Sequence, residues 1–400
     1  MVMAGIKGKN KIENTLGMFD LLKGIGMLLI VFAHNRSVFP ELIFQKSTEI
    51  DKANVVRTLT FINGASIPAI IIFAFIVTFA AALMPAFFVV GGYGFRKRPI
   101  AKGFKLLSKE MLKPYFITVI VTTLCNVCLH YAFFRYLPGA VQESLKVFGG
   151  MALGVSETVT IGNITLFANG PVWYVLALFW SLALFNVVLN LAKEKQVPYY
   201  VLGISVVGWL LSYLPFTPWC ISQGMVGVLY AYMGYWIKKN KLIGREFSVK
   251  EKVLIIVLVA IPNLVMCAFG LITEMADNVY SLGPITYIEN GLLGIVYIYL
   301  FLKLNALRGA ISGGIRVVGR YSLYVMCIHT VEMIAVPWYV ISGYFKEQPL
   351  LGFFVIYFVR LIIIFIGVFL VVKTSKLIKT LSDKLVTRKT RHKQGETDND

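Results

Sequence analysis

The stretch FDLLKGIGMLLIVFAHN, residues 19–35, decides the fold class. It lies in an apolar run, Met18–Val38, that is long enough to cross the hydrocarbon core of a bilayer as a helix. The run also contains Asp20, Lys23 and His34. Ionisable side chains are costly in hydrocarbon and therefore indicate a functional helix face. No small-x-small cleavage site follows the run, so we expect a retained first span rather than a signal peptide.

The composition of the whole chain agrees with a membrane protein. Of the 400 residues, 58% are hydrophobic and only 15% are charged. Soluble domains are about half apolar and about a quarter charged. A compact soluble domain of this length would still need a polar surface, which this composition cannot supply. We therefore predict an all-α, polytopic membrane bundle.

Ten apolar runs are candidates for transmembrane helices, and the fifth and sixth are the shortest. A short connection that contains Pro215 and Pro218 separates these two. The predicted spans are Met18–Val38, Ile67–Val90, Pro114–Phe134, Pro171–Leu191, Tyr199–Leu214, Ile221–Ile237, Val253–Ile272, Ile285–Leu302, Tyr321–Ile341 and Leu351–Val372. The predicted organisation is an N-terminal cytoplasmic segment (1–17), a transmembrane domain (18–374) and a basic, polar cytoplasmic tail (375–400).

The distribution of basic residues tests this topology. With the N-terminus inside, 30 of the 39 Lys and Arg residues fall in cytoplasmic segments and 7 in outer segments. This is the positive-inside pattern, which one extra or missing helix in the middle of the chain would destroy. Both termini are therefore predicted to be cytoplasmic. The longest outer segments are residues 40–60 and 138–169, and the second is predicted to hold an interfacial helix.

The net charge of +19 also indicates which kinds of molecule the protein contacts. The basic residues lie in short runs between long apolar stretches, and nucleic-acid binders instead concentrate them in one patch or stripe. We therefore predict contact with membrane lipid and no nucleic acid. The five cysteines are scattered, and no second pair completes a metal site with Cys125 and Cys128. Neither a disulfide framework nor a metal site is predicted.

The spacing within the first span places two polar groups on one helix face. Lys23 and His34 are eleven residues apart, which is about three helical turns and ~16 Å of rise. They therefore point the same way at different depths, with Met27 and Ile30 on the strip between them. Asp20 lies one turn before Lys23 and can pair with it.

Two interpretations of this strip remain open. Lys23 can extend its amine to the cytoplasmic surface while His34 sits at the outer interface, which needs no function. Alternatively, the strip faces protein and serves chemistry. Gly24 and Gly26 favour the second interpretation, because small residues allow another helix to approach closely.

The last two spans contain a second group of ionisable residues. His329 and Glu332 are three residues apart and share a helix face. Arg360 lies near the middle of the tenth span and needs a partner, for which Glu332 or Glu289 is available. We favour a buried structural ion pair between Arg360 and Glu332, since helical bundles accommodate intramembrane charge in this way. His329 remains open between a site residue and a core hydrogen bond.

At this point the sequence resembles a known family. Lys23-x10-His34 resembles the Arg-x10-His signature in the first helix of the acyltransferase-3 family, and is most similar to its fucose 4-O-acetylase-like branch. Three later segments resemble that branch in the same order: MPAFFVVGGYGFRKRP (84–99), GPVWYVLALFWSLALF (170–185) and GRYSLYVMCIHT (319–330). Two positions depart from the pattern. Lys23 replaces the arginine, and Gly91 replaces the usual serine before Gly92.

The resemblance implies a membrane acyltransferase. It implies transfer of an acetyl or other short acyl group from acyl-CoA, with acetyl-CoA as the common donor, to a hydroxyl of a cell-surface or lipid-linked sugar. No permanently bound cofactor and no metal are expected. His34 is the predicted general base, and Lys23 is the predicted second catalytic residue or, alternatively, a ligand of the CoA phosphates. The further predicted donor- and substrate-binding residues are Asp20, Arg96, Lys97, Arg98, His329 and Glu332.

Other interpretations are compatible with the same residues. Intramembrane His, Glu and Arg also suit a proton-coupled transporter of a glycan or small molecule, although no internal repeat is visible. A catalytically inactive binding relative is a third alternative, given the changes at Lys23 and Gly91. As an enzyme, the protein would need a water-containing channel along the first helix for the acyl arm. Its expected location is the bacterial inner or plasma membrane, as a multi-pass protein.

Overall fold

The computed structural model describes residues 16–39, 50–307 and 309–397. The described chain is almost entirely helical, which confirms the predicted all-α class. The helices are α1 (Asp20–His34), α2 (Lys52–Gly64), α3 (Ile67–Gly94), α4 (Ile100–Leu107), α5 (Lys113–Phe134), α6 (Leu137–Leu153), α7 (Trp173–Leu191), α8 (Val197–Leu211), α9 (Ile221–Lys239), α10 (Val249–Ile255), α11 (Ile261–Ala268), α12 (Pro284–Leu304), α13 (Ala310–Arg320), α14 (Ser322–Ala335), α15 (Trp338–Ser342) and α16 (Pro349–Thr397).

Two short antiparallel hairpins are the strands found in the described residues. They pair β1 (Val159–Ile161) with β2 (Ile164–Leu166), and β3 (Thr273–Glu274) with β4 (Val279–Tyr280). The first hairpin follows α6, the helix predicted within outer segment 138–169. The other outer segment predicted, 40–60, lies partly outside the described residues, and its second half begins α2.

Within the described residues, seven helical stretches are long and apolar enough to cross a membrane, and a bent pair of helices would make an eighth. They correspond to the first to fourth and the seventh to tenth predicted spans. The fifth and sixth predicted spans are helices α8, of only 15 residues, and α9, which contains many polar and small residues. The multi-pass bundle is confirmed, while the number ten and the location of both termini stay predictions.

The ninth predicted span is broken instead of continuous. Helices α14 and α15 meet at an angle of 68° across Val336 and Pro337. Proline has no backbone N–H and disfavours a helical residue before it. Val336 accordingly has extended backbone angles, with φ −83° and ψ 125°. The break turns the next residue, Trp338, back toward the end of α14.

Glycines allow the central helices to touch. A Cβ atom at Gly92 of α3 would collide with the carbonyl of Ala231 on α9, and one at Gly234 of α9 would collide with the carbonyl of Val89 on α3. The approach of α1 to α13 has the same basis, because a Cβ at Gly24 would collide with the carbonyl of Ile315. Such contacts are how helices associate tightly in lipid, where apolar burial gives little driving force.

The degree of burial separates inner from outer helices. About half of the residues of α1 and α12, and two thirds of those of α7, are buried inside the bundle. By contrast, α16 and the α10–α11 pair expose many large apolar side chains, as at Phe369 and Leu370. Apolar side chains exposed along whole helices fit contact with lipid. Helix α1 therefore belongs to the protein-facing centre.

Candidate functional site

The outer end of α1, meaning the end at His34, contacts α14. His34 is the last residue of α1, and its ring centroid lies 5.3 Å from that of His329, with 58° between the ring planes. The side chain of His329 is fully buried. The structure therefore brings together the predicted base and the histidine whose role the sequence left open.

A carboxylate fixes the orientation of the buried histidine. His329 Nδ1 lies 2.6 Å from Glu332 Oε1, one turn further along α14. A carboxylate accepts, so Nδ1 carries the proton and a neutral ring presents its lone pair on Nε2. His329 Nε2 is buried and has no hydrogen-bond partner among the described residues. A carboxylate on one imidazole nitrogen, with the other nitrogen unpartnered, is an arrangement that a general base can use.

The second oxygen of Glu332 holds the broken span in place. Trp338 Nε1 donates to Glu332 Oε2 over 2.9 Å, which is possible because the chain turns back after Pro337. Arg360 Nε of α16 lies 3.7 Å from the same oxygen, and its guanidinium carbon lies 4.9 Å from the centre of the Trp338 ring. The predicted ion pair between Arg360 and Glu332 is confirmed, with Glu332 rather than Glu289 as the partner.

A cavity lies beside this cluster, and we call it the outer cavity. Its volume is about 640 Å³, within the range of roughly 300–1,000 Å³ that small-molecule sites occupy. Its lining combines aromatic side chains with a few polar ones, and includes Ser37 and Val38, which follow α1. Further lining residues are Asn126, His130, Phe134, Tyr136, Glu143, Trp338, Tyr339 and Arg360.

The inner end of α1, meaning the end at Asp20, carries ion pairs. Lys23 Nζ lies 2.9 Å from Asp20 Oδ1, as predicted, and Arg320 Nε of α13 lies 3.6 Å from Asp20 Oδ2. Asp20 is buried, whereas the side chain of Lys23 is 24% exposed. Both ends of the helix face of α1 that runs from Lys23 to His34 thus lie against the α13–α14 segment. Met27, between them, is fully buried.

The predicted basic loop is held by two asparagines of α7. The backbone N–H of Arg98 donates to Asn186 Oδ1 over 3.1 Å, and Asn190 Nδ2 donates to the carbonyl of Arg98 over 2.9 Å. The side chains of Arg96 and Lys97 are exposed, and that of Arg98 is half-buried. These contacts fix the loop while leaving two of its three cations in solvent.

An aromatic contact brings this loop near the inner end of α1. The rings of Phe19, which precedes α1, and Tyr93, which precedes the loop, meet edge to face at 5.2 Å. The predicted site residues therefore form two groups. One holds Lys23 and Asp20 with the basic loop beside them, and the other holds His34, His329 and Glu332. The catalytic and binding roles of all these residues stay predictions.

Sequence reasoning missed Trp338, Asn186 and Asn190. The two asparagines are four residues apart in an otherwise apolar span, and this pattern is a signal for a shared polar face. For Trp338 the signal was the preceding proline inside an apolar run, which predicts a break. The position of the indole on Glu332 could not have been read from the sequence.

The family follows from the comparison with known proteins. A family model described as an acyltransferase domain, that of the acyltransferase-3 family, matches residues 17–372. The chain belongs to this family. It is thus a multi-pass membrane acyltransferase, whereas its assignment to the fucose 4-O-acetylase-like branch stays a prediction. Comparisons with curated proteins and with solved structures gave no match.

The geometry accommodates either residue at one position where this acyltransferase departs from the family pattern. A Cβ at Gly91 would lie 3.1 Å from Leu178 Cδ1, so a serine would need only a small shift of that flexible side chain. The neighbouring Gly92 has no such freedom, because it touches the backbone of α9. The close contact of α3 with α9 at this point therefore depends on Gly92 and not on a hydroxyl group at position 91.

Proposed function

We propose that the protein transfers an acetyl or other short acyl group from acyl-CoA to a hydroxyl of a cell-surface or lipid-linked sugar. The observation that supports this most directly is the packing of His34 against His329, whose Nδ1 is bound by Glu332. Two imidazoles in contact with each other provide the proton acceptor that a weakly nucleophilic hydroxyl requires.

The reaction balances with these groups. The sugar oxygen attacks the thioester carbonyl carbon while its proton passes to His34. The C–S bond then breaks, and the CoA thiolate leaves and takes up a proton. Positive charge that develops on the imidazole pair is stabilised by the Glu332 carboxylate, 2.6 Å from His329. A positioned base of this kind contributes about 10² to 10⁴ in rate.

The acyl donor, acyl-CoA, would bind at the inner end of α1. Arg96 and Lys97 are exposed beside the start of α1, where CoA phosphates arriving from the cytoplasm would meet them. Charge-assisted contacts with phosphate oxygens suit both side chains. The acyl arm would then follow the ~16 Å strip from Lys23 to His34 through the proposed water-containing channel.

Purified protein in nanodiscs, supplied with radiolabelled acetyl-CoA and cell-envelope glycan, tests the proposal. Wild-type protein should label the glycan, and His34→Ala should lose about 10² to 10⁴ of that rate. His392→Ala, in the C-terminal tail, is the matched control and should keep it. If His34→Ala retained the wild-type rate, the assignment of the base would be wrong.

A transporter is the second candidate, because the buried set of His329, Glu332 and Arg360 also suits proton coupling. Proteoliposomes that contain a fluorescent lipid-linked sugar separate the two functions. Movement of the sugar across the bilayer that needs no acyl-CoA and survives in His34→Ala would favour transport. Acyl transfer that depends on His34, without such movement, would favour the enzyme.

A further inference from the structure

Arg360 lines the outer cavity and has hydrogen-bond donors without an acceptor among the described residues. Its side chain is fully buried and lines the cavity, and its Nε and Nη1 atoms have no hydrogen-bond acceptor among the described residues. Glu332 balances the charge at 3.7 Å, yet its two oxygens already accept from His329 and Trp338. Buried donors of this kind are expected to find an acceptor. A bound molecule with oxygen atoms would provide it.

The charges that line the cavity are already balanced. Glu332, which is not itself a lining residue, pairs with Arg360, and Glu143, the carboxylate among the described lining residues, holds Lys146 Nζ at 2.7 Å. An anionic ligand at Arg360 would lie close to the Glu332 carboxylate, and a cationic ligand would lie close to the guanidinium. Because the pair is neutral overall, it would not compensate either ligand for the hydration that the ligand loses in the cavity. The balance favours an uncharged ligand.

The shape of the cavity favours a ring with apolar faces. The rings of Phe134 and Tyr339, both in the lining, are nearly parallel, with centroids 6.4 Å apart and 11° between the planes. Trp338 adds a third aromatic side chain next to Arg360. A pyranose has C–H groups on its faces and hydroxyls around its edge. It therefore suits aromatic walls combined with a few fixed donors.

We propose that the outer cavity binds an uncharged sugar unit of the acceptor, with Arg360 donating hydrogen bonds to its oxygen atoms. This inference rests on the proposed function and narrows its acceptor to neutral saccharides. Uronic acids and amino sugars with a free, protonated amine are excluded as ligands of this cavity. The cavity adjoins the Glu332 cluster, so a bound sugar lies on the side of the bundle where His329 and His34 meet.

Binding without acyl-CoA tests the inference directly. Wild-type protein in nanodiscs is titrated with neutral hexose trisaccharides, with trigalacturonate and with a glucosamine trimer, and saturation-transfer NMR gives the affinities. At least one neutral trisaccharide should bind about tenfold or more tightly than both charged probes, a ratio that one charge-assisted hydrogen bond can supply. Tighter binding of a charged probe, or no binding of any neutral probe, overturns the inference.

Two variants locate the binding. Arg360→Lys keeps the positive charge but loses the planar fork, and Tyr339→Ala removes an exposed ring of the lining without touching the buried ion pair. Each should weaken neutral-sugar binding by about tenfold, the value of a single strong contact. Tyr199→Ala, on an exposed surface of α8 outside the cavity lining, is the control. Unchanged affinity in Tyr339→Ala places the sugar elsewhere and overturns the inference, whether or not Arg360→Lys folds.

The two proposals fail separately. Sugar binding by protein that transfers no acyl group would contradict the proposed function and leave the cavity assignment intact. Acyl transfer to a glycan by protein whose cavity binds no neutral sugar would contradict only the cavity assignment.

Discussion

The two ends of helix α1 handle charge in opposite ways. At the inner end, Lys23 and Arg320 both pair with Asp20, and Lys23 remains partly exposed. At the outer end, His329, Glu332 and Arg360 are buried together, and both His329 and Arg360 retain nitrogen atoms without a hydrogen bond in the described residues. The charged groups of the inner end pair with one another. The outer end instead has N–H donors on Arg360 and a lone pair on His329 that a ligand could engage.

This difference indicates where the chemistry lies. Partly exposed ion pairs contribute little to stability and are readily remade with phosphate. Buried polar groups that are not fully satisfied are costly and concentrate where a substrate completes the set. Four predictions test the contrast, ordered from the largest expected effect to the smallest.

Substitution of the buried histidine should have the largest effect on rate. His329→Gln should lower kcat for acyl transfer by about 10² to 10⁴ with little change in KM for acyl-CoA, because it removes a base partner. Lys23→Ala should instead raise KM for acyl-CoA with a smaller change in kcat. Steady-state kinetics in nanodiscs measure both. Equal effects on kcat for the His329 and Lys23 variants would contradict the proposed difference between the two ends of α1.

Removal of the central carboxylate should have the largest effect on stability. Glu332→Ala leaves Arg360 as an uncompensated buried charge and should cost about 3–5 kcal/mol of unfolding free energy. Asp20→Ala, the matched change at the inner end, should cost less, because Lys23 can reach solvent. Thermal unfolding in one detergent compares the two variants. A smaller loss for Glu332→Ala than for Asp20→Ala would contradict the contrast in burial.

The close contact of α1 with α13 gives an intermediate effect. Gly24→Ala places a methyl group against the carbonyl of Ile315 and should destabilise the protein by about 1–3 kcal/mol, the usual cost of overpacking. Gly314→Ala, in α13 with open space around it, is the control and should be neutral or stabilising by about 0.5–1 kcal/mol. Similar unfolding temperatures for the two variants would show that α1 and α13 are further apart than the contact of Gly24 with Ile315 implies.

The smallest effect on stability is expected at an exposed ion pair, which serves as a reference for the partly exposed pairs at the inner end of α1. The Lys239 ammonium, which hydrogen-bonds to Glu194, lowers the pKa of that carboxyl below its ordinary value of 4.5. A lowered pKa means that the pair stabilises the fold above pH 4.5 and loses this contribution as the pH falls through the lowered value. Glu194→Gln should therefore reduce the unfolding temperature slightly at pH 7 and by less at pH 3. An equal reduction at pH 7 and at pH 3 would show that the ion pair does not cause it.

Local spacing made much of this arrangement predictable. Helical geometry alone gave the pairing of Lys23 with Asp20 and the position of His34 at the far end of the same helix. The ion pair of Arg360 with Glu332 followed from the cost of an unpaired charge in a span. In each case the residues are close in sequence or have few possible partners.

The remainder depends on tertiary packing. The contact between His34 and His329 joins residues nearly 300 positions apart, and no periodicity encodes which spans are neighbours. The hydrogen bond from Trp338 to Glu332 depends on the angle of the break at Pro337, which a proline permits but does not set. The outer cavity depends on both, so its lining was beyond sequence reasoning.

The 68° break after α14 has a pharmacological consequence. It carries the chain sideways at the His34 end and makes Trp338 and Tyr339 part of the cavity lining. With that end facing outward, as the distribution of Lys and Arg predicts, a small inhibitor shaped for the cavity would reach its target without permeating the cell. Resistance to such a compound should then arise in the lining aromatics sooner than at the buried carboxylate, whose loss would also unfold the protein.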